Sequence, residues 1–187
     1  MSAKRLSDAE LFADRRKTIQ SFVRSNAKGN DILQKFASLA EAIRNFETIE
    51  KDYETISRAW GNRAAEEILS RKNFFALTGQ KRLNYKVEGC MDAAIAFVAS
   101  ARTLAEIAKI PAKVFFVRMG SHSLVRIEAE GKNILYDPSI HRPNREIRGK
   151  LAEVIKKYKT EGKYAEGFGP REIGLRTLSD FHRYSMQ

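Results

Sequence analysis

The segment 89–109 reads GCMDAAIAFVASARTLAEIAK, and the segment 113–136 that follows it reads KVFFVRMGSHSLVRIEAEGKNILY. The first segment is rich in alanine and apolar on nearly every face, and a helix that is apolar all round is a buried one. We therefore predict a buried helix over 91–109. Pro111 ends it, because proline lacks the N–H group that a continuing helix needs.

Three strands are expected in the second segment. β-Branched and aromatic residues predict strands over 113–119, 122–128 and 133–136, and residues 130–133 (EGKN) predict the hairpin turn between the last two. Residues 137–138 (DP) end the third strand, since proline cannot donate to a β-ladder. A buried helix against an antiparallel sheet makes this an α+β protein.

Residues 1–72 predict a helical N-terminal extension. Apolar residues at helical spacing predict one helix that begins after Ser7 and a second, capped by Asp31, whose apolar stripe runs to Ile49. A short third helix is expected over 63–71. The extension then consists of helices alone.

The character of the sequence changes after Lys72. Residues 73–88 combine glycine, asparagine and scattered polar residues, so we expect an irregular loop that leads to Cys90. Further along the chain, a basic helix is expected over 145–159, followed by a mixed tail. The α+β core therefore extends over 73–187, and we expect it to form one compact unit with the extension.

The composition of the 187-residue chain is that of a globular protein, with 43% hydrophobic and 30% charged residues. Its longest apolar stretch, residues 93–99, is far shorter than the roughly 20 residues that a membrane-spanning helix needs. The first residues are charged and include no apolar segment typical of a signal peptide. We therefore expect a cytoplasmic protein that does not associate with a membrane.

The net charge is +11, and the basic residues are spread along the chain with concentrations at 15–17, 142–150 and 156–163. Such a charge permits attraction to an anionic partner. Aromatic residues are not interleaved with the basic ones in a nucleic-acid-binding signature. The pattern favours solvated helix faces over a nucleic-acid surface and leaves an anionic partner as an alternative.

Cys90 is the only cysteine, which excludes an intramolecular disulfide and a structural zinc site with two or more thiolates. It is therefore either a small core residue or a nucleophile. Its position at the start of the buried helix favours a nucleophile, because unpaired N–H groups and the positive end of the helix dipole stabilise a thiolate there. The same N–H groups can stabilise an oxyanion, and Gly89 lets the backbone approach a substrate closely.

A thiolate nucleophile works with an imidazole that carries the proton and a third group that orients this imidazole. His122 opens the second strand, and Asp137 ends the third. A register that pairs residues 127–128 with 135–136 places Asp137 opposite about residue 126, a few residues from His122. Contact between the two side chains then requires a bulge or a different register.

Two other histidines compete for the role of base. His141 lies in a proline-rich segment and His182 lies near the C-terminus, and both positions are typical of solvated surface histidines. Cys90, His122 and His141 could also supply metal ligands, but the close ligand pairs of zinc sites are missing. We therefore predict neither a metal nor a cofactor.

The order of these residues resembles the transglutaminase-like superfamily. Residues 89–94 (GCMDAA) open the helix, 109–113 (KIPAK) close it, His122 opens a strand, and 136–139 (YDPS) ends the next strand. The superfamily pattern is a cysteine at a helix start, a helix end similar to KIPAR, a histidine on one strand, and Asp-Pro-Thr or Asp-Pro-Ser at the end of the next. The match covers about Glu88 to Ser139.

The resemblance implies a cysteine-proteinase-like core with a catalytic triad. Cys90 would attack a carboxamide or peptide carbonyl to form a thioester acyl-enzyme, His122 would act as general base and acid, and Asp137 would orient His122. Strand pairing of the kind found in the superfamily would bring Asp137 to His122. We expect a cysteine hydrolase, a peptidase or amidase, with a peptide or protein as substrate.

The chain departs from the pattern in places. Leu124 stands where members commonly have an aromatic residue. A glycine directly precedes Cys90, whereas many members have one residue between the glycine and the cysteine. Gln80, Asn84 and Trp60 are candidates for a side-chain oxyanion donor. A protein-glutamine transglutaminase is one alternative function, and a non-catalytic transglutaminase-like module that binds an acidic protein or nucleic acid is another. The peptide-N-glycanase branch of the superfamily usually carries zinc-binding cysteine pairs. This sequence has none, which disfavours a deglycosylating activity.

Overall fold

The structure is a computed structural model that describes residues 5–12, 17–77, 89–139 and 143–183. The helices in these ranges are α1 (Asp8–Phe12), α2 (Lys17–Asn26), α3 (Ile32–Arg44), α4 (Tyr53–Ala59), α5 (Ala65–Arg71), α6 (Gly89–Ala108), α7 (Lys150–Thr160) and α8 (Leu178–His182). The strands are β1 (Glu47–Lys51), β2 (Asn73–Leu77), β3 (Ala112–Met119), β4 (His122–Ala129), β5 (Lys132–Tyr136), β6 (Arg145–Glu146) and β7 (Tyr164–Gly167).

Five strands form one antiparallel sheet in the order β6-β5-β4-β3-β7. Strands β1 and β2 form a separate parallel pair. Helix α6 packs across β3 and β4. The predicted α+β class, with a helix against an antiparallel sheet, is confirmed.

Helix α6 is the centre of the fold. Most of its 20 residues are buried, because its alanine-rich surface is apolar on every side. Helices α2, α3 and α5 also pack against it. The helix ends at Ala108, and Lys109 adopts the left-handed φ of 55° that commonly follows a helix end. Among the described helices, none has both the length and the apolar composition to cross a membrane.

The two faces of the sheet are covered by different elements. Val125 and Ile127 of β4 join the large hydrophobic cluster around α6. Leu124 of β4 joins a second cluster with Val117 and with Ile155 of α7. Side chains of β4 therefore alternate between the two faces, and α6 and α7 lie on opposite faces of the sheet.

The predicted extension and the predicted core share one hydrophobic cluster. Phe36 and Ile43 of α3 lie in the same cluster as Phe97 of α6 and Phe116 of β3. The division of the chain into two regions at residue 72 remains a prediction. The hydrophobic cluster contains residues from both sides of that boundary.

The N-terminal region is less helical than predicted. The Asp31 cap is confirmed, since its Oδ1 accepts a hydrogen bond of 2.7 Å from the Gln34 amide. However, the prediction that this helix runs to Ile49 was wrong, because α3 ends at Arg44. Ile49 instead lies in β1, whose partner strand β2 begins at Asn73. Local periodicity cannot show a partner so far along the chain.

Two predictions further along the chain also need correction. The loop expected over 73–88 begins with strand β2, and residues 78–88 lie outside the described residues. The basic helix expected over 145–159 starts only at Lys150, because Gly149 has a φ of 52° that breaks the helix there. Residues 145–146 form the edge strand β6 instead.

A two-residue turn connects β4 and β5. Ala129 pairs with Lys132, and the turn residues Glu130 and Gly131 have φ values of 52° and 72°. Positive φ at both positions is the signature of the type I′ hairpin, whose twist matches that of the flanking strands. Asparagine and glycine tolerate this conformation, whereas glutamate adopts it at a cost.

We predict that Glu130→Asn stabilises the protein by about 0.5 kcal/mol, because asparagine adopts the left-handed conformation more readily. The free energy of unfolding in urea measures the effect. Glu130→Gln is the matched control and should leave stability unchanged. Equal stability of the asparagine and glutamine variants would contradict a type I′ turn at this position.

Candidate active site

Cys90 lies in the first turn of α6, next to Gly89, as the sequence predicts. The thiol is almost fully buried, with 1% of the residue exposed. A Cβ atom on Gly89 would lie 3.0 Å from Cβ and 3.2 Å from Cγ of Phe74. The glycine therefore allows β2 to pack closely against the start of α6, a contact that the sequence analysis did not foresee.

His122 and Asp137 meet across the β4–β5 pair. The distance between His122 Nε2 and Asp137 Oδ2 is 2.7 Å. Tyr136 pairs with Val125 rather than with Ile127, so the register is shifted by two residues from the predicted one. An even shift keeps every side chain on its expected face and moves Asp137 towards His122.

The Asp137 carboxylate is held on both sides. Its Oδ1 accepts a 2.7 Å hydrogen bond from the Ser139 hydroxyl and a 3.2 Å hydrogen bond from the Ser139 amide, while Oδ2 contacts His122. Burial opposes the charge on this group, but the bonds to His122 and Ser139 outweigh burial and lower the pKa of Asp137 below its ordinary value. The side chain is therefore a fixed carboxylate.

The backbone of Asp137 is also anchored. Arg44 of α3 donates a buried 2.9 Å hydrogen bond from Nη2 to the carbonyl oxygen of Asp137. Arg44 is 8% exposed and forms a short ion pair with Glu41 of the same helix. An arginine from the N-terminal region thus holds the strand end that positions the carboxylate.

His122 interacts with Cys90 as well as with Asp137. Burial alone would lower the pKa of His122, but hydrogen bonds to Asp137 and Cys90 and the negative charges of both groups raise it to about 10. Because Nε2 bonds to Asp137, Nδ1 is the ring nitrogen that is left for the thiol. The three side chains can therefore form a thiolate, imidazolium and carboxylate in series.

The structure places His122 in contact with Asp137, and Cys90 interacts electrostatically with the same imidazole. The triad of these three residues remains a proposal. Of the competing histidines, His141 lies outside the described residues, and His182 lies in the short helix α8. Among the described residues, no group of three or more histidine, cysteine, aspartate or glutamate side chains is placed to hold a metal ion.

The candidates for an oxyanion donor have different outcomes. Gln80 and Asn84 lie outside the described residues. Trp60 is 5% exposed and packs against Phe181, with ring centroids 5.2 Å apart. The structure thus places Trp60 in a packed aromatic pair, and the backbone N–H groups at the start of α6 remain the donors nearest in sequence to Cys90.

Sequence reasoning missed two residues that hold the site. Ser139 was part of the quoted Asp-Pro-Ser motif, and a serine two residues after an aspartate is a common partner of its carboxylate. Arg44 carried no signal, since 93 residues separate it from Asp137.

Comparisons of the chain with protein-family models, with curated proteins and with solved structures found no match. The chemistry of the site therefore has to be inferred from its own geometry.

We predict that Ser139→Ala lowers the free energy of unfolding by about 2 kcal/mol, because the Asp137 carboxylate loses a buried, charge-assisted hydrogen bond. Chemical denaturation measures the loss. Ser139→Thr keeps the hydroxyl and should retain most of the stability. An alanine variant as stable as the wild type would show that the Ser139 hydroxyl does not support the carboxylate.

The raised pKa of His122 predicts that the stability of the protein depends on pH. The pKa of His122 is raised from 6.5 to about 10, so the folded state favours the protonated imidazole. This contribution to stability is complete below the unfolded-state pKa near 6.5 and is lost as the pH rises towards 10. We expect the stability difference between wild type and His122→Gln to shrink over that window. Urea unfolding at one-unit steps of pH tests this, and a constant difference would contradict it.

Proposed function

We propose that this chain is a cysteine-nucleophile hydrolase, a peptidase or amidase of the transglutaminase-like type. The observation that carries the proposal is the 2.7 Å contact between His122 Nε2 and Asp137 Oδ2. Cys90 interacts with the same imidazole and contributes to the raised pKa of His122. A nucleophile, a base and a group that orients the base are the three parts that acyl transfer needs. The order of the motifs around these residues, which resembles that superfamily, supports the same assignment.

The proposed first step forms a thioester. His122 accepts the proton of the Cys90 thiol, and the resulting thiolate attacks the carbonyl carbon of an amide, forming a C–S bond. Collapse of the tetrahedral intermediate breaks the C–N bond, and His122 gives its proton to the departing amine. The raised pKa of His122 favours the imidazolium that this step uses as its acid.

The second step releases the acyl group. Acylation removes the negative charge of Cys90, and with it part of the interaction that raises the pKa of His122. His122 can then accept a proton from water while the water oxygen attacks the thioester carbonyl and the C–S bond breaks. The products are a carboxylic acid and the regenerated Cys90–His122 pair. If an amine replaces water, the same step gives transamidation.

One observation favours the non-catalytic alternative, a binding module that retains this scaffold. Cys90 is 1% exposed, so an electrophile can react only if the thiol becomes accessible. Reactivity of the thiol therefore separates the two functions more directly than a substrate screen. The exposed lysines of α7 provide the basic surface to which an acidic protein or nucleic acid would bind in that alternative.

The first experiment measures the rate at which iodoacetamide labels Cys90. We expect wild type to react at least tenfold faster at neutral pH than His122→Ala, because the imidazole holds the thiol proton. Asp137→Asn should lie between the two. Slow labelling that is indifferent to His122 would favour the binding module.

Hydrolysis of a mixture of fluorogenic peptide amides provides the second readout. Any turnover should be lost in Cys90→Ala, and His122→Ala should lose most of it, on the order of a thousandfold. Circular dichroism checks that the variants remain folded. Hydrolysis that survives Cys90→Ala would refute the proposed mechanism. Incorporation of a fluorescent amine into a glutamine-containing protein, with little hydrolysis, would indicate a transglutaminase.

A further inference from the structure

A second group of buried polar side chains lies beside Cys90. Arg63, in the turn before α5, contacts Asp92 of α6 with a distance of 2.5 Å between Nη1 and Oδ2. Its Nη2 donates a 2.6 Å hydrogen bond to Oδ1 of Asn73, and its Nη1 lies 3.3 Å from the Asn73 carbonyl oxygen. The amide of Phe75 lies 3.4 Å from the same Asp92 oxygen. These contacts define what we call the Arg63 cluster: Arg63, Asn73, Phe75 and Asp92.

The charges of the Arg63 cluster are removed from solvent. Arg63 is 3% exposed and Asp92 is 5% exposed. The guanidinium also lies 3.9 Å from the centroid of the Phe75 ring. Taking two charges out of water is costly, and an apolar pair of similar size often provides equal or greater stability. Stability alone therefore does not explain an ion pair at this position.

The cluster surrounds the turn of α6 that carries Cys90. Asp92 is two residues from Cys90 on the same helical turn. Three consecutive residues of β2 act on this turn. Asn73 holds Arg63, Phe74 packs against Gly89, and the Phe75 amide points to Asp92. The start of α6 is thus attached to β2 through a polar and an apolar contact.

Arg63 also balances the charge of Asp92. Burial raises the pKa of Asp92 to about 6, and the charge and hydrogen bond of Arg63 oppose this rise. Asp92 is therefore largely ionised at neutral pH. Without Arg63, a carboxylate two residues from Cys90 would repel a thiolate, or would take up a proton and lose its contacts.

We propose that Arg63 and Asp92 are positioning residues that fix the first turn of α6, and with it the Cys90 thiol, relative to His122. The inference rests on the proposed function, since it assumes that Cys90 and His122 act together. It extends that function by making the N-terminal region part of the site. Arg63 acts through Asp92 and the backbone of α6, and neither residue touches the reacting atoms.

The test removes the ion pair without leaving a buried charge. The double variant Arg63→Met/Asp92→Leu replaces both side chains by apolar ones of similar size, and its melting temperature should stay within about 3 °C of the wild type. The readout is the factor by which His122→Ala slows iodoacetamide labelling of Cys90, measured in the wild-type and double-variant backgrounds. A purely structural pair would leave this factor unchanged. We expect it to fall close to one in the double variant.

Two further variants complete the design. Arg63→Lys keeps the charge but cannot bond to Asp92 and Asn73 with one planar group, so its labelling factor should fall several-fold. Arg58→Met is the matched control, because Arg58 pairs with Glu54 at 3.3 Å with both side chains exposed on α4. That variant should behave as the wild type does.

Each outcome has a separate meaning. A stable double variant that retains the full labelling factor would overturn the inference and leave the proposed function intact. A wild-type protein in which His122 has no effect on labelling would overturn the proposed function, and the inference with it. If the double variant does not fold, Arg63→Lys decides, and an unchanged factor in that variant overturns the inference.

Discussion

The burial of α6 on all sides is the constraint on which the rest of the structure depends. A 20-residue helix whose surface is apolar on all sides has to be covered by other elements, because exposure of that surface to water is unfavourable. The antiparallel sheet and the helices α2, α3 and α5 all pack against it. Because protein interiors are close-packed, the first turn of such a helix has little freedom to shift, and a side chain placed there is held in position. Cys90 occupies that turn.

The β4–β5 hairpin restricts the positions of the other two members of the proposed triad, His122 and Asp137. With a turn of only two residues, the pairing of Ala129 with Lys132 determines every later pair, including Val125 with Tyr136. Asp137 follows directly, on the face that carries His122. The carboxylate then has two partners, Ser139 and His122, so its orientation is determined by the strand end and by the turn that follows it. The hairpin thus brings Asp137 beside His122, and the long-range bond from Arg44 anchors the strand end.

The sequence predicted those parts of the protein that local patterns determine. The buried helix, the β3–β5 meander and the Asp31 cap follow from spacing and residue type. The contact between Asp137 and His122 was expected only from the resemblance of the motifs. The register was wrong by two residues, because the turn was taken to be longer than it is. Parallel pairing of β1 with β2 joins Glu47 to Asn73, and no periodicity within either strand reveals it. Side-chain contacts over long sequence separations, such as Arg44 with Asp137, carry no local pattern at all.

Two of the contacts that sequence reasoning did not predict run from the N-terminal region to the proposed site. Arg44 reaches the carbonyl of Asp137 and Arg63 reaches the carboxylate of Asp92, so two buried arginines hold backbone and side-chain groups next to two members of the proposed triad. Burying guanidinium groups is costly, and polar partners offset that cost here. Arg63 bonds to Asp92 and Asn73. Arg44 bonds to Glu41 and to the Asp137 carbonyl. A helical extension that served only to cover apolar surface would need neither arginine. The N-terminal region is therefore better understood as the support of the proposed site than as an appendage to a separate core.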